Sequence, residues 1–361
     1  MKTQPSAIPK CVKICFTRLL ALGYQNTYMD PIIPMVEFSD ITDARQRIAS
    51  KIHQTPIYQS SLLNQWLGSQ ILFKAECLQR TGAFKVRGAL NTLAKLAEKN
   101  QLPKQIVANS SGNHAQAVAY AAHLYNVPAT IYSTKNVSAV KAAATQFYGA
   151  NLELFETRVE ADHAVKAAAT HADTLWIPPF NHPDIIAGQG TLMLDSADQV
   201  GDVDAVFAPC GGGGLLSGTF ISAKALNPNT KVMGAEPLNA NDAAESLRQG
   251  KIISLKGPPD TLADGAATPS VGEHTFEILQ QIDNLFEVSE QHICYWTQWL
   301  QHLLKLHMEP TCAMTMQAVV EWLRSVPANQ KVLVLLSGGN IDHKKMTQIW
   351  QTDHLSQLPT L

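Results

Sequence analysis

Glu76-Cys-Leu-Gln-Arg-Thr-Gly-Ala-Phe-Lys-Val-Arg-Gly88 is the stretch from which the rest of the chain is read. Ile71 to Glu76 reads as a strand, and the residues from Phe84 onward read as a helix. A turn carrying Gly82 joins them, so Lys85 falls at the mouth of the helix, beside Phe84 and between Gly82 and Gly88. A helix N-terminus is electropositive and disfavours a cation. The same field, with partial burial, lowers a lysine pKa and frees the amine as a nucleophile. Two readings follow from the stretch alone: a lysine that forms a Schiff base, and a solvated lysine at the end of a strand.

Outward from Lys85 the chain alternates. Strands are expected at Gln105 to Asn109, Ala129 to Ser133, Asn151 to Phe155, Thr174 to Pro178, Ala205 to Cys210, Lys231 to Glu236, Leu285 to Val288 and Val332 to Leu336. Helices are expected between them, the longest over Pro183 to Gln199, Gln291 to His307 and Pro310 to Arg324. Such alternation predicts an α/β fold with mostly parallel sheets and helices on both faces. Ligands in these folds gather at the carboxyl ends of strands. Thr81-Gly82, Ser110 to His114, Gly211 to Gly214 and Ser337 to Asn340 all lie at such ends.

The four consecutive glycines Gly211 to Gly214 follow a strand and open a helix. Their N–H groups can converge on an anion with the helix dipole behind them, and a phosphate is the natural guest. No Gly-Lys-Ser/Thr follows, so this is not the nucleotide P-loop. Ser110-Ser-Gly-Asn-His114 offers hydroxyls and fresh N–H groups at a helix start, suited to a carboxylate or a phenolic oxygen, although such residues also serve as plain caps. Ser337 presents a neutral hydroxyl at the end of a buried strand. Glu236 and Asp242 flank a turn; with a backbone carbonyl they could hold Mg²⁺ or Ca²⁺, or be solvated loop charges. A phosphate cradle, an amine for an aldehyde, a polar group for a ring oxygen and a hydroxyl for a ring nitrogen together describe pyridoxal 5′-phosphate.

Composition narrows the class. The chain has 361 residues, 45% hydrophobic and 16% charged, enough for two domains with a substantial core. A net charge of −2 gives no basic excess for nucleic acid or an acidic membrane surface. No apolar run approaches the roughly 20 residues of a membrane helix. Six cysteines, mostly far apart, read as thiols of a reducing, cytoplasmic compartment, and Cys11 and Cys15 lack the second ligand pair of a zinc site. Residues 1–34, with four basic residues before the first acid, read as a leader or an overlong start.

Taken together, the motifs resemble the serine/threonine dehydratase and serine racemase family. Lys74-Ala-Glu-x-x-Gln79, Thr81-Gly-Ala-Phe-Lys-Val-Arg-Gly-Ala89, Ser110 to Gln116, Ile186-Ala-Gly-Gln-Gly-Thr191, the tetraglycine loop, Ala263-Asp-Gly265, Glu309-Pro-Thr311 and Ser337 to Asn340 fall in the family's order, over about Val36 to Ile349. The resemblance implies a fold-type II pyridoxal-phosphate enzyme with two three-layer α/β domains. The large domain would comprise residues 35–104 and 182–361, and a small mobile domain residues 105–181. It implies that Lys85 is the Schiff-base lysine, Phe84 lines the ring, Asn113 bonds the phenolic oxygen, and Gly211, Gly212, Gly213 and Gly214 hold the phosphate. Ser337 would face the pyridine nitrogen and Glu309 would lie near the ring. Ser110, Ser111 and His114 would grip the substrate carboxylate, with Ser111 as the acid/base of the second face. Glu236, the Ala240 carbonyl and Asp242 would bind Mg²⁺ or Ca²⁺. A homodimer is implied as well. The implied activity is ammonia release from L-serine or L-threonine, with serine racemisation as a companion and threo-3-hydroxyaspartate as an alternative substrate. Ala83 departs from the commoner Gly-Ser-Phe-Lys pattern, which bears on racemisation and leaves the cofactor site intact. The chain ends too soon after this region for an allosteric regulatory domain. A cysteine-synthase-like enzyme is disfavoured, because those resemble Ser-x-Lys-Asp-Arg where this chain has Phe84-Lys-Val-Arg87. A non-catalytic binding protein on the same scaffold is the third reading, and it predicts no ammonia release.

Overall fold

The computed structural model describes residues 36–110 and 112–361. The leader expected over residues 1–34 therefore lies outside the described residues. The strands are β1 (Ile57–Tyr58), β2 (Gln70–Ala75), β3 (Gln105–Asn109), β4 (Ala129–Thr134), β5 (Asn151–Phe155), β6 (Thr174–Trp176), β7 (Ala205–Pro209), β8 (Lys231–Pro237), β9 (Asn284–Val288) and β10 (Lys331–Leu336). They form a six-stranded sheet, ordered β1-β2-β10-β7-β8-β9, and a four-stranded sheet, ordered β5-β4-β3-β6. Every pairing is parallel except β1 with β2. The four-stranded sheet draws on residues 105–176 alone, whereas the six-stranded sheet takes strands from both sides of that segment.

The central strands are buried apolar runs, as parallel strands covered on both faces must be. β10 (Lys-Val-Leu-Val-Leu-Leu) sits between β2 and β7, and its last residue, Leu336, pairs with Ala75. That register brings Ser337 level with the turn that carries Lys85. The helix Pro183–Val200 packs against both Lys85–Glu98 and Gly214–Leu226. Two glycines explain how closely the first two approach: a Cβ on Gly188 would lie 2.6 Å from the Gly88 Cα.

A buried ionic cluster fixes the start of the Lys85 helix. Arg87 donates from Nε and Nη2 to both oxygens of Glu76, at 2.8 and 2.9 Å, and neither side chain is exposed. Nη1 also donates to Thr191 Oγ1 and Asp195 Oδ2 on the helix Pro183–Val200. The end of β2, the first turn of the following helix and a third helix are thus tied at one guanidinium.

Two expected features differ. The single helix expected over Pro310 to Arg324 is two, Pro310–Ala313 and Thr315–Leu323. The Gln317 N–H donates to the Met314 carbonyl, an i→i+3 bond that tightens the chain between them. A helix His343–Ile349, capped by the Asp342 side chain accepting from the Lys345 N–H, follows the loop where none was expected. Among the described residues no helix is long and apolar enough to cross a membrane.

Candidate active site

Lys85 is the first residue of its helix. Its Nζ donates to the Pro179 carbonyl at 2.6 Å and stands 5.2 Å from the Phe84 ring centroid. Burial lowers its pKa to about 8, against an opposing pull from the Glu309 charge. Of the two sequence readings, the geometry matches the unusual amine rather than the solvated one. The turn before it is anchored through its backbone. The Phe84 N–H donates to the Ser337 carbonyl at 3.0 Å, the Gly339 N–H donates to the Gly82 carbonyl at 2.9 Å, and Ala83 forms an isolated antiparallel bridge with Gly338.

The tetraglycine loop meets the same place from the other side. Pro179 holds Lys85, and the next residue, Phe180, packs so tightly on the loop that a Cβ on Gly212 would fall 2.2 Å from its ring. Gly213 caps the helix Gly214–Leu226 with φ of +90°, a conformation that favours glycine. Thr275 Oγ1 pins the loop by donating to the Gly212 carbonyl at 2.8 Å. Among the described residues, the N–H groups of Gly211, Gly212 and Gly213 donate to no backbone acceptor. The first N–H groups of the helix behind them are unpaired by geometry. A row of unclaimed donors at an electropositive helix end fits a phosphate.

The remaining site residues converge on the Lys85 turn. Asn113 Nδ2 donates to Glu309 Oε1 at 2.8 Å, and Asn113 Oδ1 accepts from Asn340 Nδ2 at 2.8 Å. Asn340 Nδ2 also donates to the Thr81 carbonyl, and the Glu309 N–H donates to Gly338. Glu309 is buried and its Oε2 has no partner. Burial, then the Asp264 charge, raises its pKa to about 7, so it is half protonated near neutrality. Ser337 is buried at the end of β10. Ser110 Oγ accepts from the Gly112 N–H at 3.2 Å. His114 is buried with its ring turned inward: Nε2 donates to the Ile177 carbonyl at 2.8 Å and Nδ1 is unpartnered. Burial, then the Lys85 charge, lowers its pKa to about 3, so it is neutral. Ser111 lies outside the described residues.

Glu236, Ala240 and Asp242 come together at the end of β8 and the start of the helix Asp242–Gln249. All three are buried. Glu236 accepts from the N–H groups of Ala243 and Ala244, whereas neither carboxylate oxygen of Asp242 has a hydrogen-bond partner. Burial raises their pKa values to about 9 and about 7. Two buried carboxylates flanking a backbone turn have the chemistry of a hard-cation donor set. Among the described residues no three His, Cys, Asp or Glu side chains gather at metal-ligand spacing, so carbonyl and water oxygens would have to complete it.

Sequence reasoning passed over Lys141 and assigned Asp264 no role. Lys141 Nζ donates to Asp264 Oδ2 at 2.8 Å beside the loop that starts at Ser110. A signal exists in retrospect. Lys141 stands alone on an alanine-rich helix with no acid within a turn, so its partner must come from elsewhere in the fold.

A phosphate cradle facing a depressed amine across one short segment defines a pyridoxal-phosphate site of the fold-type II kind. Comparison with known proteins agrees. Residues 48–338 match the family of pyridoxal-phosphate dependent enzymes. The chain is 42% identical over 311 residues to the L-threo-3-hydroxyaspartate ammonia-lyase of Saccharomyces cerevisiae, covering 85% of this chain and 94% of that one. It is 39% identical to the serine racemase of Homo sapiens, covering 85% of this chain and 92% of the relative. The crystal structure of the T.th. threonine deaminase superposes with a TM-score of 0.79 at 41% identity, covering 85% of this chain and 99% of that one. The chain belongs to the pyridoxal-phosphate-dependent serine/threonine dehydratase and serine racemase family.

Proposed function

We propose that this chain is a pyridoxal-phosphate-dependent ammonia-lyase of L-serine and L-threonine that releases ammonia and the 2-oxo acid, with serine racemisation as a companion activity. The observation that carries the reading is Lys85, a depressed amine whose carbonyl partner, Pro179, adjoins the residue packed on the tetraglycine loop. Lys85 would tether the cofactor, Gly211 to Gly214 would hold its phosphate, Phe84 and Asn113 would flank its ring, and Ser337 would face the ring nitrogen. When bound, pyridoxal phosphate supplies a sink for the electron pair left by the departing α-proton.

The chain's own residues do the rest. The freed Lys85 amine takes the α-proton, which a pKa near 8 allows close to physiological pH. Ser337, a neutral hydroxyl, cannot hold the ring nitrogen protonated as a carboxylate would. That weakens the sink and favours prompt loss of the β-hydroxyl. Glu309, whose pKa burial raises to about 7 and which is bonded to Asn113, could give or take a proton near neutrality. The loop with Ser110 and Ser111 would bind the substrate carboxylate, while neutral His114, bonded to Ile177, would brace it. Ser111 would supply the proton on the opposite face for racemisation. Mg²⁺ or Ca²⁺ at Glu236, Ala240 and Asp242 would be a structural ion, and residues 105–181, which carry the whole four-stranded sheet, would close over the substrate. The reading further includes a cytoplasmic homodimer.

Threo-3-hydroxyaspartate is the second reading, favoured by the 42% identity to a lyase of that substrate. One assay separates the readings: ammonia, 2-oxo acid and D-serine are measured with L-serine, L-threonine and threo-3-hydroxyaspartate, with and without Mg²⁺. Lys85→Ala should abolish turnover of all three; elimination retained in that variant would sink the assignment. Ser111→Ala should stop D-serine formation while sparing elimination.

A further inference from the structure

Lys85 is not the only largely buried lysine near this site. Lys141 sits on the helix Ala139–Phe147 of the four-stranded layer, yet it is only 8% exposed. Its Nζ donates at 2.8 Å to Asp264 Oδ2, in the 3-10 turn Asp264–Ala266 whose last residue packs against Gly211. The same Nζ lies 3.9 Å from the point where a side chain on Gly112 would begin, so it borders the loop Ser110 to His114. Asp264 carries a second lysine, with Lys345 Nζ 3.3 Å from the same oxygen. Two ammonium groups therefore share the Asp264 carboxylate, and the charges of Glu309 and Asp342 also act on Lys141 from farther off. Glu309 bonds the neutral Asn113 through Oε1 and makes no direct hydrogen bond to Lys141. A buried ammonium needs an anion beside it, and among the described residues Asp264 is the one acid that bonds Lys141 directly while having a second cation of its own.

We propose that Lys141 is a carboxylate receptor of this site, exchanging Asp264 for a carboxylate of the amino-acid substrate while Lys345 keeps Asp264 paired. The exchange leaves no charge alone: Lys141 trades one carboxylate for another, and Asp264 keeps one of its two cations. The proposal rests on the amino-acid reading above and deepens it by naming the cation that reads the substrate. The carboxylate has two sources, the α-carboxylate common to all candidates and the side-chain carboxylate of threo-3-hydroxyaspartate. A competing use of the same pair is a latch between the two sheet layers. The two uses differ in what Asp264 does: it competes with substrate in a receptor and is indispensable in a latch.

The test uses the full-length, cofactor-loaded enzyme as wild type, Lys141→Met and Asp264→Asn. Each is titrated calorimetrically with succinate, an unreactive dicarboxylate, and assayed with L-serine and threo-3-hydroxyaspartate. A receptor predicts that Lys141→Met weakens succinate about ten- to a hundredfold, the loss of one charged hydrogen bond. It predicts that Asp264→Asn tightens succinate, because the internal competitor is gone. A KM raised for both substrates assigns Lys141 to the α-carboxylate; a KM raised for hydroxyaspartate alone assigns it to the side chain. Unchanged succinate affinity in Lys141→Met overturns the proposal, as does equal weakening in both variants, the mark of a latch. Should Lys141→Met not fold, Asp264→Asn decides by its sign, tighter binding supporting the receptor and unchanged or weaker binding overturning it. If wild type turns over neither substrate, the lyase reading fails while the succinate titration still decides the role of Lys141.

Discussion

Arg87→Met is the substitution with the largest effect that the structure predicts outside the chemistry. It removes four hydrogen bonds, two to Glu76, one to Thr191 and one to Asp195, and the methionine chain fills much of the same volume. Glu76 is then a fully buried carboxylate with Thr55 Oγ1, at 2.5 Å, as its surviving donor. The nearby cation Lys74 is itself pulled down to about 8 by burial and donates to the Thr55 carbonyl. Removing one partner of such a pair costs about 3–5 kcal/mol. For a chain of this size that is roughly 4–7 °C in Tm. Glu76→Gln with Arg87→Met removes both charges and should recover much of the loss, since replacing both partners is far less costly than orphaning one. The pH dependence carries its own sign. Burial opposes the Glu76 charge, but Arg87's charge and hydrogen bonds outweigh it, so the folded pKa lies below the ordinary 4.5. A depressed carboxylate stabilises the fold above its unfolded pKa, and that contribution is lost as pH falls through the folded value. Arg87→Met should therefore flatten the acid limb of Tm against pH. Calorimetric unfolding of the single and double variants from pH 3 to 8 measures all of this. A loss under about 1 kcal/mol for Arg87→Met, or a double variant less stable than the single, would refute the reasoning.

Other outcomes follow from the site. Cofactor-free protein should capture pyridoxal phosphate with a rate that rises through about pH 8, where Lys85 loses its proton, instead of near the ordinary 10.5; the growing absorbance at about 410–420 nm reports it. Mg²⁺ or Ca²⁺ should stabilise the fold by about 2.7 kcal/mol at a hundredfold excess over Kd, seen as a higher Tm, and Asp242→Asn should abolish the response while stabilising the cation-free protein; a cation response that survives in the variant would move the ion elsewhere. Gly213→Ala forces a side chain into φ of +90° and brings its Cβ to 2.9 Å from Thr275, so stability should fall by about 1–2 kcal/mol and cofactor affinity with it, read by melting and by equilibrium dialysis.

The alternation of strands and helices was legible because each parallel strand is an apolar run bounded by turn residues, as β10 and β7 show. Lys85, Gly211 to Gly214, Asn113 and Ser337 could be read from loops that follow strands, whereas Glu309 entered only through the family resemblance. What stayed hidden was made by pairing over long distances. β1 is two residues long and exists through its antiparallel contact with Phe73 and Lys74. The Lys141–Asp264 bond spans 123 residues and joins different layers, so neither residue announces it locally. His114 stood in a loop that the resemblance assigns to the substrate carboxylate, and only the fold turns its ring toward Ile177.

The Lys85 turn is held mainly by backbone groups, and that has a consequence for specificity. Phe84 bonds Ser337, Gly339 bonds Gly82 and Glu309 bonds Gly338, all through N–H and carbonyl groups that are indifferent to side-chain identity. Ala83 takes part in the same bridge through its main chain while its methyl is fully buried. A different small side chain there would leave the path of the chain from Gly82 to Lys85 in place. The anchor of the chemistry can therefore stay constant while substrate choice changes. On the proposal above, the groups that would set that choice are Ser110 and the Lys141–Asp264–Lys345 trio, which is held by charge instead of backbone. Exchanging one of those charges should then alter what the site accepts without disturbing where Lys85 stands.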